Sequence, residues 1–244
     1  MNTNKENNMS KIDYNHTTLS LINELSIINP SMILDKVDGD VVIKSSSADR
    51  SVAYIFTAPE DHFGFEGDEC AFYNYGEFYK LFSVMDQPSV KQNGSDLVMS
   101  KDRSTMKYRL SKSEIIPRGF NSVEFEDPDV EVRLSAEYLK KLYTFVSNSM
   151  LNANRLKLKG EGRELTLTLE NSKSPNSFSE VIELENEVGE EFEFVISTSI
   201  FQNLPSNLDF TFSIKEEGIV EFKLITETGV SLELYTAELV EDDD

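Results

Sequence analysis

The chain has 244 residues, with 23 Lys and Arg against 44 Asp and Glu, giving a formal net charge of −21 at pH 7. Hydrophobic residues make up 39%, including 16 Phe and 9 Tyr, which is enough for real cores and excludes a globally disordered chain. Apolar runs of a few residues leave no helical membrane span, and the polar start Met1-Asn2-Thr3-Asn4 lacks the apolar core of a secretory signal. One cysteine, Cys70, rules out an internal disulfide framework and fits a reducing compartment. The chemistry is limited too. His16 and His62 are the only histidines, and no CxxC, HExxH, Gly-x-Gly-x-x-Gly or phosphate-loop spacing occurs. No catalysis, metal or cofactor is expected.

Residues 1–9 are expected to be disordered. Leu19, Ile22, Leu25 and Ile28 then predict a helix over residues 16–28, with Thr17 or Thr18 near its start. Val41-Val42-Ile43, Val52–Phe56 and Ala71–Tyr73 read as strands. Phe78, Leu81, Phe82 and Met85 mark a second, short helix, and Leu97–Met99 and Met106–Leu110 mark further strands. Ser111 to Pro128 shows no period and contains Pro117, Gly119 and Pro128, the composition of a connector.

Beyond it, Tyr138, Leu142, Phe145 and Val146 predict a third helix with Ser135 as its cap. Arg155–Lys159 and Glu164–Glu170 alternate polar and apolar around Gly160-Glu161-Gly162-Arg163, the pattern of an antiparallel hairpin. Alternation returns at 181–185, 192–196, 210–214, 220–224 and 231–235, with a fourth helix at Ile200, Phe201 and Leu204 stopped by Pro205. Val90-Lys91-Gln92-Asn93-Gly94 has a counterpart in Ile214-Lys215-Glu216-Glu217-Gly218, 214 − 90 = 124 residues on, and the first helices of the two halves are offset similarly. The expected fold class is therefore α+β: two copies of one domain, 10–111 and 129–239, joined by a connector at 112–128 and followed by an acidic tail at 240–244.

Some segments resemble a known family. Thr17-Thr18-Leu19 through Leu34, Tyr75–Val84, Asp102-Arg103-Ser104-Thr105 and Ile196 through Asn207 resemble the helices and strand leads of the T-even-type bacteriophage DNA polymerase sliding clamp, similar in design to proliferating cell nuclear antigen. The resemblance runs from about Ser10 to Leu239. It implies a homotrimeric ring with sheets outside and two helices per domain lining a channel around duplex DNA. The implied partners are a second and third copy of the chain, duplex DNA, the replicative DNA polymerase, an ATP-dependent clamp loader and late transcription factors. The implied location is the cytoplasm of an infected bacterial host, with no membrane partner.

On the resemblance, the helix faces opposite the apolar stripes would meet DNA: His16, Ser20, Asn23, Lys80, Lys140, Lys141, Thr144, Asn148, Gln202 and Asn203. A ring of 3 × −21 = −63 charges would repel DNA from its exterior, so topological linkage rather than affinity would hold it there. Ring closure would pair residues 105–111 with 178–185 of the next subunit. That sets Lys107, Tyr108, Arg109 and Lys112 against Glu180, Ile182, Glu183 and Glu185. A pocket for partner peptides would involve Ile115, Ile116, Phe120, Leu239 and Val240. The rival reading is an acidic DNA-mimic or inhibitor protein occupying a partner's DNA channel. It accounts for the charge but not for two copies of one domain.

Overall fold

The structure, a computed structural model, describes residues 15–120, 123, 125–205 and 207–239. In chain order the first elements are α1 (His16–Leu25), β1 (Met32–Val37), β2 (Asp40–Ser46), β3 (Val52–Pro59), β4 (Glu69–Phe72), α2 (Tyr75–Val84), β5 (Ser89–Asn93), β6 (Asp96–Lys101) and β7 (Ser104–Arg109). There follow β8 (Val130–Leu134), α3 (Ala136–Val146), β9 (Arg155–Glu161), β10 (Glu164–Asn171), β11 (Ser174–Glu183) and β12 (Phe192–Ser197). The last are α4 (Ser199–Asn203), β13 (Phe210–Lys215), β14 (Ile219–Ile225) and β15 (Ser231–Ala237). The expected α+β class with antiparallel sheets is what the chain adopts. The offset between β2 and β10, 164 − 40 = 124 residues, also carries β1, β4 and α2 onto β9, β12 and α4 to within one residue at their starts. The internal repeat is a repeat of structure.

The chain forms two compact units. The first takes residues up to Ser26 with Pro30–Val42 and Ala58–Pro117; the second takes Ile27–Asn29, Ile43–Thr57 and the chain from Arg118 onward. The expected disordered segment 1–9 and acidic tail 240–244 lie outside the described residues.

In the first unit β1 pairs with both β2 and β4, all antiparallel, with Leu34 opposite Cys70 and Asp35 opposite Val42. A second sheet runs β5–β6–β7, with Leu97 opposite Tyr108. The core is aromatic. Phe72 contacts Tyr75, Phe78 and Tyr108 with ring centroids 5.1, 5.1 and 5.8 Å apart, which binds α2 to both sheets. Leu19, Ile22 and Leu25 bury one face of α1 beside α2, and the Tyr75 hydroxyl donates to the Leu19 carbonyl at 3.3 Å. Cys70 is buried, which pushes its thiol up to about 12 and makes it a core residue rather than a reactive one.

In the second unit one sheet runs β3–β15–β14–β13–β8 and the other β11–β10–β9–β12. Period-2 alternation sorts the side chains of the second sheet. Leu156, Leu158, Leu165, Leu167, Leu169, Phe194 and Ile196 are all buried on one face, under Leu139, Leu142 and Val146 of α3 and Ile200 of α4. Phe201 of α4 meets Phe222 of β14 edge-on at 6.0 Å.

Some boundaries differ from the sequence expectation. α1 ends at Leu25, not at residue 28, because the chain must turn over 26–28 to enter β1 through Pro30. Thr17 and Thr18 fall in its first turn, near the start as expected, and its cap is Asn15, whose side chain accepts from the Thr18 amide at 3.2 Å. Ser135 caps α3 as expected, accepting from the Tyr138 amide at 3.2 Å. β5, β8 and the first half of β11 lie beyond the expected strands. β5 holds one apolar residue, Val90, and residues 174–177 hold only polar ones and Pro175, so pairing with β6 and β10 makes them strands.

Two glycines mark close approaches. Gly160 lies across from Phe192, whose ring would stand 2.5 Å from a Cβ placed there. Gly119 brings the connector onto the Lys44 backbone so closely that a Cβ would overlap its carbonyl. Gly160→Ala is expected to destabilise the second unit by about 1–3 kcal/mol through overpacking. Shrinking the partner in Gly160→Ala with Phe192→Val should recover part of that loss, with denaturant unfolding as the measurement. Equal stability of Gly160→Ala and wild type would show that the ring yields without cost.

Candidate nucleic-acid and assembly surfaces

Once each helix gives its apolar stripe to the core, a polar face is left over. On α1 that face holds Ser20 and Asn23, both half-buried; His16 begins the helix, but its side chain lies outside the described residues. Lys80 is exposed on α2 with Glu77 and Ser83. On α3 the exposed residues are Glu137, Lys140, Lys141, Tyr143 and Thr144, with Asn148 exposed just past its end, and the Thr144 hydroxyl folds back to the Lys140 carbonyl at 2.8 Å. Gln202 and Asn203 lie on α4, with side chains outside the described residues.

The three lysines differ. Among the described residues Lys80 and Lys140 form no ion pair. Lys141 donates to both carboxylate oxygens of Glu180 at 2.8 Å and stands 5.5 and 5.6 Å from the ring centres of Tyr138 and Phe178. The resemblance implies nucleic-acid contact for Lys141 and a subunit contact for Glu180. The structure joins them to each other inside one unit.

The edges come next. Among the described residues β7 pairs only with β6 and β11 only with β10, so each of these strands keeps one side unpaired. On β7, Lys107 and Arg109 are exposed on one face and Tyr108 is buried on the other. Arg109 is already bonded to Asp96 on β6, whereas Lys107 makes no ion pair among the described residues. Tyr108 is committed to the core: its ring stacks on Phe72 and its hydroxyl donates to the Asn74 carbonyl at 2.9 Å. This removes it from the expected contact surface. Lys112 is exposed just beyond the strand.

On β11, Val181 and Glu183 point outward, Val181 being 54% exposed, and Glu185 is exposed just past the strand. Phe178, Glu180 and Ile182 share the opposite, half-buried face, so Glu180 does not belong to the outward acidic row. Phe145 of α3 stacks on Phe178 with centroids 4.0 Å apart. Together with Met150, Leu151 and Pro175 they line an open cavity of about 540 Å³ that sequence reasoning does not reveal. Its only sequence signal is a run of polar residues in which Met150 and Pro175 stand out.

The connector residues separate as well. Ile116 is buried against Ile33 and Ala71 in the first unit, so it is a core residue and not an accessible pocket wall. Ile115, beside it, is 64% exposed. In the second unit Phe120 is half-buried, and Leu239 donates its amide to the Val195 carbonyl at 2.7 Å. Leu239 also borders an open, mixed-charge cavity of about 580 Å³ with Arg155, Lys157 and Glu193. Val240 lies outside the described residues. Among the described residues no group of three His, Cys, Asp or Glu is placed to hold a metal ion.

No protein-family model and no curated protein matches this chain. Solved structures do. The proliferating cell nuclear antigen of A. fulgidus, determined with the C-terminal region of FEN-1 bound, superposes with a TM-score of 0.73 at 12% identity, covering 94% of this chain and 98% of that one. The antigen of Entamoeba histolytica gives 0.69 at 14% identity, covering 92% and 95%. A PCNA2–PCNA3 complex from Sulfolobus tokodaii gives 0.68 at 10% identity, covering 94% and 98%. Likeness over nearly the whole of both chains establishes the architecture: this chain has the sliding-clamp fold.

Proposed function

We propose that this protein is a DNA polymerase processivity factor, a homotrimeric ring that encircles duplex DNA and tethers the replicative polymerase. The observation that carries the reading is the sliding-clamp fold across 94% of the chain, with an unpaired strand edge on each unit. A ring of identical subunits needs a head-to-tail contact between two different edges. Lys107 on β7 and Glu183 with Glu185 at β11 supply opposite charges for it. Such cross-strand pairs contribute roughly 0.2–1 kcal/mol each, so they select the partner more than they strengthen the ring.

The polar faces of α1 to α4 would line the channel, with Lys80 and Lys140 as its cations. Weak contacts suit a sleeve that slides, since linkage around the duplex replaces affinity. The segment resemblance further supports a T-even-type phage clamp, opened by an ATP-dependent loader, working in the cytoplasm of an infected bacterial host and also serving late transcription factors. Partner peptides would dock beside the connector through the exposed Ile115 rather than the buried Ile116. One observation favours the rival, an acidic DNA mimic: cations such as Lys36, Lys101, Arg133 and Lys157 are already neutralised by carboxylates in a chain of charge −21. Sedimentation separates the two. A trimer of 3 × 27.7 kDa, about 83 kDa, supports the ring, and a monomer sinks it. Primer extension on circular DNA, with polymerase and loader, then tests processivity itself.

Three outcomes are expected. Lys107→Glu with Arg109→Glu dissociates the trimer, and adding Glu183→Lys with Glu185→Lys restores it; a trimeric first variant at low concentration removes this edge pair from ring closure. Lys80→Glu with Lys140→Glu leaves folding intact and weakens loading. The salt slope of DNA binding falls by about one for each phosphate that is no longer neutralised, and an unchanged slope excludes this face. Ile115→Asp keeps the trimer but loses polymerase stimulation, while Ile116→Asp unfolds the first unit by burying an unpaired charge at a cost of several kcal/mol. Normal stimulation by Ile115→Asp in primer extension would place the docking surface elsewhere.

A further inference from the structure

A carboxylate on the inner face of an edge strand needs an explanation. Glu180 is such a group: it lies directly opposite the buried Leu167 and on the same face as Phe178 and Ile182. An inward charge blunts a sheet edge against indiscriminate pairing, but it also strains the strand's seat on the core unless a counter-charge meets it. Lys141, one turn along α3 from Tyr138, supplies that charge with two bonds of 2.8 Å. The ammonium is boxed by the Tyr138 and Phe178 rings, and Phe178 is itself stacked on Phe145 of the same helix. Burial and the neighbouring Glu180 carboxylate raise the pKa of the Tyr138 phenol, so that group stays neutral and Lys141 alone balances the acid.

We infer that Lys141 is a positioning residue: it seats the β11 edge on α3 in the conformation that accepts a second copy of this chain, and it is not a DNA contact. The self-association part of the inference rests on the proposed ring; the seating of β11 does not. Lys140, the next residue on the same helix, forms no ion pair among the described residues and is the natural control.

The test uses the full chain in four forms: wild type, Lys141→Met, Lys141→Arg and Lys140→Met. Met keeps the aliphatic packing on Phe178 while removing the charge. Amide exchange is measured first, at a concentration where the chain is monomeric. The β11 amides bonded to β10 should exchange about fivefold faster in Lys141→Met, with the β9 and β12 amides unchanged, and Lys141→Arg should restore wild-type rates. Sedimentation should then show Lys141→Met assembling about tenfold more weakly, with Lys140→Met and Lys141→Arg as wild type. Wild-type exchange in Lys141→Met overturns the seating. Faster exchange with unaltered assembly of a self-associating chain overturns the link to the edge. A wild type that never associates defeats the ring proposal, and the exchange data still decide the seating. Loss of protection throughout the second unit in Lys141→Met, without rescue by Arg, would make Lys141 a general stability residue and overturn the assignment.

Discussion

Covering one face of an open antiparallel sheet is the constraint from which the rest follows. Each repeat has strands whose alternate residues are apolar, and that face must leave water; fully burying a single Leu or Phe contributes about 1.5–3 kcal/mol. In the second unit the leucines of β9 and β10 do this under α3 and α4. Helices of ten or eleven residues suffice where they are regular, and α4 manages with five. Because the cover is made of helices, its other side is polar. Because the sheets do not close on themselves, they keep edges. The two features offered to partners, polar helix faces and strand edges, are both consequences of that single burial requirement.

Charge then decides what those features can do. With 44 acids and 23 bases, at least 44 − 23 = 21 carboxylates have no cation of their own to meet, while a lysine readily finds a carboxylate. Lys36 meets Glu60, Lys157 meets Glu193, and Lys223 meets Glu233, at 2.7, 2.7 and 2.8 Å. These pairs are only partly exposed, and solvent still screens them enough that each contributes modestly to stability, but they remove cations from service. A basic residue without an ion pair among the described residues, such as Lys80, Lys107 or Lys140, therefore says more about an external partner here than it would in a balanced chain.

Most of the fold was legible because alternation and helical spacing are direct projections of burial onto sequence. The runs at 155–159 and 164–170 could not be helices, and the 124-residue offset between Val90 and Ile214 reappears as an offset between whole elements. Boundaries were less legible where tertiary pairing overrides composition. β5 is nearly all polar and is a strand because β6 provides its partners. The site was legible only by element. Parity along a strand is easily read, yet Glu180 sits on the apolar face, and nothing in a one-dimensional pattern announces that a lysine from a helix 39 residues earlier will neutralise it. Ile115 and Ile116 are neighbours of identical chemistry, one 64% exposed and one 4% exposed. Only the fold separates them.

The contrast between a strong structural match and the lack of any family-model match has a physical origin on the proposed reading. An enzyme ties its function to side chains at fixed spacing, because a reacting atom must meet a base or a metal within a few tenths of an ångström. A sleeve that works by enclosing DNA asks for less. It needs the alternation that builds its sheets, two edges that recognise each other, and helix faces that do not grip. Many residue choices satisfy each of those demands: any apolar residue fills an inward strand position, and either orientation of charge can pair two edges. Identity of 10–14% with chains that superpose over nearly their whole length is what such permissive requirements produce. The specificity that remains is concentrated where geometry is least forgiving, at the close approaches of Gly119 and Gly160 and at the seat of the β11 edge on α3.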